Sequence, residues 1–508
     1  MYRQIPFLRF VLFFILGILV QSHYPAGNAL SFVCLAVACI FISSIPSVQK
    51  QYAFRFLFGL GLGLLLFALA MQITRCAWEK SAWKVNSGEH FYQVQVMDEP
   101  VRKPKTYQCK VRILTADSVV CHQCAYQQLV VYLPVDERSE NLVAGDCLWV
   151  NGSFEPAPAY LQKQSVAATG FVRLGQWSTI ASTHVPFSLK LYGLSIRRIL
   201  LKQLRQIVSD PDAFAIAAAL MFGYRNELDA NLQQSFRNIG ASHILAISGA
   251  HFAILFGMLY FMLSFLGNSP KAKRLKQIIF IPLIWYFAFL TGFSPSVVRA
   301  SAMLTIWGVG ELLGCRAFTY NTIAVVAFFM LLFHPLYLFD VSFQLSFMAV
   351  IAILVISPRL AKGYESKNRI IQYVWQLTCV SLAAQIGVLP LSVYYFHQFP
   401  VFFLLTNFCL IPLMSVLLFF IPLSMILSAV FGNISWMLFP LRQSLQWFID
   451  ITEGLNALPF RTIDNLNLDL QGMIVFLLCI ICLLLVWIRK RMVYFCYLLI
   501  LLLVQWIF

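Results

Sequence analysis

The sequence predicts an α-helical membrane protein of about 11–13 spans with a small extracytoplasmic β-barrel domain. Of its 508 residues, 60% are hydrophobic and only 11% are charged, whereas a soluble protein carries roughly 25% charge. The apolar residues form repeated long runs. Only residues 78–180 alternate polar and apolar positions in the manner of a half-buried sheet.

The chain begins with three apolar segments, near residues 7–20, 29–45 and 54–73. No small-x-small cleavage site follows the first, so we expect a retained helix and not a removed signal peptide. The first loop has no Lys or Arg, whereas the second carries Lys50 and Arg55. The positive-inside rule then puts the N-terminus in the cytoplasm and residues 78–180 outside.

The external region predicts five strands in about 90 residues, which suggests an OB-like barrel. The strands are expected at residues 90–96, 107–120, 127–133, 146–154 and 169–174. Four cysteines lie here, and an oxidising compartment would allow two disulfides. We favour Cys121 with Cys124 and Cys109 with Cys147. A zinc site is the weaker alternative, because a second CxxC is missing.

Residues 187–208 predict a basic amphipathic helix at the membrane surface. Interfacial anchoring and contact with a phosphate chain are equally open roles for its basic residues, which are Lys190, Arg197, Arg198, Lys202 and Arg205. The apolar stretch from Asp212 to Phe222 predicts a short re-entrant or buried helix.

From residue 241 onward nearly every segment predicts a membrane span. Three basic clusters, near residues 271–276, 359–369 and 489–491, are expected in cytoplasmic loops. The three clusters lie on the same side of the membrane only if residues 400–431 cross it twice. We therefore expect a helix break near Asn407, Pro412 and Pro422. The resulting domains are 1–77 (three transmembrane helices), 78–180 (OB-like domain), 181–235 (interfacial and short helices) and 236–508 (multispan domain).

Polar residues within these spans are candidates for function, because desolvating them is costly. His243, Ser248 and His251 lie within one predicted helix, with Ser248 within reach of His251. Interhelical hydrogen bonding and pore lining are both open. A metal or catalytic role is less favoured, because no i, i+4 His pair and no local carboxylate are present.

Arg299 enters a helix just after Pro295, and a buried guanidinium needs a carboxylate, carbonyl oxygens or a passing anion. Either a phosphate contact or an ion pair with Asp340 or Glu311 satisfies this need. Asp340 and Gln344 are expected to share a helix face, and Gln385 adds a polar point to a later span.

The sequence has no GxxxxGK[ST] phosphate loop and no HExxH motif. We therefore expect no ATP hydrolysis by that route, no enzymatic activity, no metal and no cofactor.

Three ordered segments, HILAISGAHFAIL, GFSPSVVRASAM and DVSFQLSFMAVIAI, resemble the competence domain of the ComEC family of DNA-internalisation proteins. The upstream helices and the external domain ending GDCLWVNGSFEP are similar to that family's N-terminal region. Relatives also carry a C-terminal metallo-β-lactamase-like domain, whereas this sequence ends at Phe508, so we expect a separate nuclease.

The resemblance implies a bacterial inner-membrane channel that passes single-stranded DNA into the cytoplasm during natural transformation. It also implies an external DNA receptor and a cytoplasmic helicase or single-strand-binding protein as partners. His243, Ser248, His251, Arg299, Asp340, Gln344 and Gln385 are then expected to line or brace the DNA path. The alternatives are a transporter of small solutes or lipid-linked substrates and a membrane enzyme that uses His243 or His251.

Overall fold

The computed structural model describes residues 6–493 except 26, 28, 45–55, 86–87, 118–123, 125, 181–187, 268, 315–318 and 491–492. Within these residues, seven helices are long and apolar enough to cross a membrane. The chain is therefore a multi-pass membrane protein with a small sheet domain near its N-terminus. It divides into a first unit of residues 1–199 with 259–340, and a second unit of residues 200–258 with 341–508.

Three helices precede the sheet domain, as predicted: α1 (Pro6–His23), α2 (Ala29–Ser44) and α3 (Phe56–Ser81). Helix α3 packs against both α1 and α2. The α1 contact requires a glycine, since a Cβ on Gly17 would lie 2.4 Å from the carbonyl oxygen of Phe67. Small residues permit this close approach of helices where lipid supplies no hydrophobic driving force.

The sheet domain contains all five predicted strands and three short ones. The strands are β1 (His90–Val96), β2 (Val101–Arg102), β3 (Thr106–Ala116), β4 (Gln128–Pro134), β5 (Cys147–Gly152), β6 (Glu155–Pro156), β7 (Val166–Phe171) and β8 (Trp177–Ile180). They pair in the order β6-β7-β4-β3-β1-β5-β8, with β2 beside β3. The β4–β7 pair is parallel and the other pairs are antiparallel. Two short helices, α4 (Glu137–Glu140) and α5 (Ala159–Gln162), lie in its loops.

The predicted Cys109–Cys147 disulfide is wrong, because Cys109 is a free, buried thiol. Cys109 lies on β3 and Cys147 lies on β5. Strand β1 lies between these two strands and pairs with both. Two strand spacings place the backbones about 9.5 Å apart, whereas a disulfide joins Cα atoms about 4.4–6.8 Å apart. Burial raises the pKa of the Cys109 thiol to about 12, which keeps it protonated. The predicted pairing of Cys124 involves Cys121, which lies outside the described residues.

The basic helix and the short apolar helix are both confirmed as helices, α6 (Leu189–Ile207) and α7 (Pro211–Phe222). Helix α7 starts at an Asp210 cap and ends at Gly223 in the left-handed region (φ 66°). Most of its side chains are buried in the core of the second unit, where α7 packs against two later helices of that unit. The apolar α7 is thus a buried core element.

The remaining helices form most of the multispan region. They are α8 (Ala230–Asn238), α9 (Ser242–Leu245), α10 (Gly249–Met262), α11 (Pro270–Leu290), α12 (Pro295–Leu312), α13 (Thr319–Phe333), α14 (Val341–Ala361), α15 (Arg369–Phe396), α16 (Phe403–Phe431), α17 (Ser435–Asn456) and α18 (Leu470–Arg489). Short 3₁₀ turns occupy Leu263–Leu266 and Pro335–Phe339, and strands β9 (Phe399–Pro400) and β10 (Thr462–Ile463) pair with each other.

The break predicted in residues 400–431 is wrong, because α16 is one continuous helix of 29 residues that contains both Pro412 and Pro422. Proline inside a membrane helix is tolerated where neighbouring groups satisfy the freed carbonyls. Asn407 donates from Nδ2 to Ser381 Oγ on α15, at 3.2 Å, instead of ending the helix. The final apolar run of the sequence, residues 492–507, predicts one more span, which lies outside the described residues apart from Val493.

Candidate functional site

The predicted helix that carries both histidines is interrupted between Leu245, the last residue of α9, and Gly249, the first of α10. Ala246 is extended (φ −89°, ψ 127°). The single-helix spacing that the sequence suggested for His243 and His251 is therefore wrong. Non-helical backbone at membrane depth is tolerated only where it is buried in protein or lines a water-filled cavity.

Ser248 and His251 together cap the start of α10. The Ser248 hydroxyl lies 3.0 Å from His251 Nδ1, and the Ser248 backbone N–H donates to the same nitrogen at 3.3 Å. Ser248 Oγ also accepts from the Ala250 N–H at 3.3 Å. The arrangement resembles a capping box, with His251 in the place where Glu or Gln usually reaches back, but the Ser248 hydroxyl accepts from the second helical N–H and not from the third. The contact predicted between Ser248 and His251 is confirmed.

The hydrogen bonds assign opposite tautomers to the two histidines. Because His251 Nδ1 accepts from a backbone N–H, its proton lies on Nε2. His243 Nδ1 instead donates to the Gly240 carbonyl oxygen at 3.0 Å, so its Nε2 is an acceptor. His251 is fully buried, and among the described residues its Nε2 finds no hydrogen-bond partner. The break therefore contains a buried N–H donor.

Arg225, which the sequence did not indicate as a site residue, contacts the α9 end of the break. Its Nε donates to the Leu245 carbonyl oxygen, at 3.1 Å, at the last residue of α9. Arg225 and His243 both lie close enough to His251 to interact with it electrostatically. Arg225 stands in a polar loop after an apolar helix, so hydropathy alone gives no signal that it serves a membrane helix.

Two later helices of the second unit, α14 and α15, pack along each other. The Tyr395 hydroxyl on α15 donates to Gln344 Oε1 on α14 at 3.0 Å. Gln385 is half-buried on the same α15 helix. Gln344 thus acts as a bridge between helices, which is the helix–helix role that an intramembrane polar side chain often takes.

Arg299 and Asp340 belong to the first unit. Arg299 is 3% exposed on α12. Glu311 lies twelve residues further along the same straight helix, about 18 Å away at 1.5 Å per residue, which excludes one of the two predicted ion pairs. Asp340 lies immediately before α14 with extended backbone (φ −78°, ψ 129°), and it donates its backbone N–H to the Tyr337 carbonyl oxygen at 3.0 Å.

A cavity of about 470 Å³ lies beside α12 in the first unit. Its walls are mainly apolar, and the polar side chains among them are Thr305, His334 and Tyr337. Arg299 is not one of its lining residues. This cavity suits an apolar occupant better than a phosphate chain.

The basic residues of α6 are divided between two environments. Lys190 forms an ion pair with Asp98, and Arg198 Nη2 lies 3.5 Å from Glu99 Oε1 and 3.3 Å from the Ala144 carbonyl oxygen. Met97, Ala144, Leu191 and Leu194 form an apolar cluster at the same contact. Lys190 and Arg198 therefore fasten the sheet domain to α6.

The other three basic residues of α6 do not contact the sheet domain in this way. Arg197 is buried, at 7% exposure. The Arg205 guanidinium lies 4.7 Å from the centre of the Phe214 ring on α7, and Lys202 is exposed. Lys202 and Arg205 are thus the basic side chains of α6 that remain at its surface.

Of the seven predicted path residues, the structure joins Ser248 directly to His251 and gives Gln344 a partner that was not predicted, Tyr395. Within the described ranges, no group of three or more His, Cys, Asp and Glu side chains is placed to hold a metal ion.

Comparison with known proteins relates the chain to competence proteins. A family model described as "Competence protein" matches residues 220–490. ComE operon protein 3 of Bacillus subtilis is 32% identical over 235 residues, which is 46% of this chain and 29% of that protein. Recombination protein 2 of Haemophilus influenzae is 25% identical over 275 residues, covering 51% of this chain and 34% of that protein.

Competence protein ComA of Neisseria gonorrhoeae is 30% identical over 237 residues, or 43% of this chain and 31% of that protein. The matches therefore span about a third of the length of these three relatives. No solved structure matches the chain.

Proposed function

The chain belongs to the Competence protein family, and from this premise we propose that it is an inner-membrane channel that carries single-stranded DNA into the cytoplasm during natural transformation. The observation that supports this most is the interrupted α9–α10 helix, which lies inside the family match. There a fully buried His251 and a half-buried Ser248 interrupt the apolar helix. Such costly polar groups persist in a membrane protein where they serve a path or a moving element.

The proposal puts the sheet domain outside the membrane, where it meets incoming DNA. Between residues 84 and 180 the chain has as many Asp and Glu residues as Lys and Arg residues, so the domain as a whole does not attract a polyanion. The β2–β3 hairpin is different, because its exposed tip carries Arg102, Lys103 and Lys105 without an acidic neighbour in the segment. We assign the first phosphate contacts to this tip.

Replacing all three hairpin residues by Ala should weaken DNA binding and its salt dependence together. Each phosphate neutralised on a single strand contributes about 0.7 to the slope of log K against log salt, so the slope should fall by about 2. The measurement is binding of a labelled single strand to the full chain in lipid nanodiscs at several salt concentrations. Arg138→Ala is the matched control, because Arg138 lies beside Glu137 and Glu140. An unchanged slope in the triple variant would remove the hairpin from the DNA site.

Arg299 is proposed as the phosphate contact within the membrane, because its planar fork binds oxyanions through two parallel hydrogen bonds. Arg299→Ala should lower transformation about 10–100-fold, the equivalent of one charged hydrogen bond worth about 1.5–3 kcal/mol. Lys in its place keeps the charge but not the fork and should give an intermediate value. DNA bound at the cell surface should be unaffected in both variants.

The control for this test is Arg274→Ala, which removes an exposed arginine from α11 in the same unit. Transformation frequency, surface-bound DNA and membrane protein level are measured for each strain. Wild-type transformation by Arg299→Ala at normal protein level would contradict the role of Arg299. A deletion strain that still internalises DNA would contradict the channel itself.

The proposal gives the chain a transport role and no catalytic one. Energy, strand degradation and surface capture are assigned to separate proteins: a cytoplasmic helicase or single-strand-binding protein, a nuclease and an external receptor. A transporter of lipid-linked substrates is the second candidate, and the apolar cavity beside α12 is the observation that favours it. Normal DNA uptake by the deletion strain, with loss of a lipid-linked product, would decide for this candidate.

A further inference from the structure

A second polar cluster lies in the first unit, away from the residues assigned to DNA. It joins the N-terminal half of α11 to the C-terminal end of α12 and includes one residue from α10. Lys276 and Gln277 on α11 are 1% and 0% exposed. The sequence predicted Lys276 in a cytoplasmic loop. In the structure Ser269 caps α11 and Pro270 is its first residue, so Lys276 lies within the helix.

Glu311 on α12 is the acceptor at the centre of the cluster. Gln277 donates from Nε2 to Glu311 Oε2, and Tyr260 of α10 lies against Lys276 in the same cluster. The other end of the same amide, Gln277 Oε1, is buried and has no hydrogen-bond partner among the described residues. Turning the amide round would not remove the problem, because Oε1 would then face the carboxylate. One buried acceptor thus stands beside a carboxyl group.

An unmet buried acceptor is costly, and a native structure usually supplies its donor. A carboxylate has no proton to donate, whereas a carboxylic acid has one. A neutral acid and a primary amide can form two parallel hydrogen bonds, N–H to carboxyl oxygen and O–H to amide oxygen. The N–H to carboxyl hydrogen bond is present. For the O–H to amide hydrogen bond, the acceptor is Gln277 Oε1.

We propose that Glu311 is a proton-binding site of the membrane region, in which the protonated carboxyl group donates its O–H to Gln277 Oε1. The proton comes from a hydronium ion in the adjoining water, which leaves as water, and the reverse step releases it. This proposal does not depend on the DNA-transport role. It adds a small ligand, the proton, at a site that the family comparison does not describe.

The cluster also contains one ammonium group and three aromatic rings. The Lys276 ammonium lies 5.4 Å from the centre of the Tyr260 ring, and no ion pair between Lys276 and Glu311 is found in the described part of the chain. The rings of Tyr260, Phe280 and Trp307 pack edge to face beside it. Helix α13, which also packs on α12, carries Tyr320 as its single titratable side chain.

Gly308 offers a way to disturb the pair without changing any ionisable residue. A Cβ at this position would lie 2.6 Å from Gln277 Oε1, so Gly308→Ala should push the amide away from Glu311. Gly257→Ala is its matched control, because α10 has open space at that glycine. Glu311→Gln removes the proton site and keeps a side chain that can pair with an amide.

The test is infrared difference spectroscopy of the full chain in lipid bilayers, recorded between acidic and alkaline pH in H₂O and in D₂O. Each of the 21 Asp and Glu residues gives a C=O band when it is protonated, so the Glu311 band is the D₂O-sensitive component that remains when the Glu311→Gln spectrum is subtracted from the wild-type spectrum. The band should be absent from Glu311→Gln, displaced in Gly308→Ala and unchanged in Gly257→Ala. Glu453→Gln, at an exposed glutamate of α17, should also leave it unchanged.

Identical carbonyl regions in the wild-type and Glu311→Gln spectra over this pH range would overturn the proposal. If Glu311→Gln does not yield folded protein, the Gly308→Ala spectrum decides. An undisplaced band in that variant would mean that the acid does not pair with Gln277, and the proposal would fail.

Discussion

His251→Leu is expected to lower DNA uptake at least about tenfold and to destabilise the second unit. The change removes the acceptor for the backbone N–H of Ser248, a half-buried residue. Loss of a helix cap costs about 1 kcal/mol, and up to about 3 kcal/mol where the donor that it leaves unsatisfied is shielded from water. Each 1.4 kcal/mol that disfavours the interrupted conformation reduces its relative population about tenfold.

His251→Gln is the matched variant, because Gln is a usual residue at this position of a capping box and its carbonyl oxygen can accept from Ser248. It should retain most stability and uptake. The measurements are thermal unfolding of the purified chain in detergent and transformation frequency normalised to membrane protein level. Equal behaviour of the Leu and Gln variants would contradict the capping role. Stable Leu protein with normal uptake would remove the break from the DNA path.

The sequence was sufficient to predict most elements, because long apolar runs and strict alternation give strong signals. Strands β1, β3, β4, β5 and β7 all fall where alternation placed them. The short strands β2, β6 and β8 escaped because two to four residues carry no measurable period. Helix α17 escaped as well, since Arg442, Asp450 and Glu453 interrupt its apolar run, although one face is buried in the core.

The candidate site was harder to predict, because its geometry depends on local backbone and on distant partners. The sequence SGAH resembles a capping box, but His in place of Glu or Gln hides the signal. Proline suggested a break in α16, where none exists, while the real break at Ala246 contains no proline. The contacts of Gln344 with Tyr395 and of Gln277 with Glu311 join residues 51 and 34 positions apart, which no periodicity reveals.

Gly387→Ala is expected to be among the most destabilising single-methyl changes in the chain. A Cβ on Gly387 of α15 would lie 2.3 Å from the Ala352 Cβ of α14 and 3.1 Å from the Met348 carbonyl oxygen. Both neighbours are rigid, so the helices must separate, and overpacking of this kind costs about 1–3 kcal/mol. Gly454→Ala is the control, because nothing lies within 4 Å of that position and Ala favours a helix.

The same helix register positions the Gln344–Tyr395 hydrogen bond. Gln344 lies eight residues before Ala352 on α14, and Tyr395 lies eight after Gly387 on α15, so in antiparallel helices both steps advance about 12 Å in one direction. Separation at Gly387 should therefore also break that hydrogen bond. Exchanging the two small residues, as Ala352→Gly with Gly387→Ala, restores one methyl group to the contact and should recover thermal stability and uptake together. Recovery of neither would show that the fit between these helices depends on more than the volume at this contact.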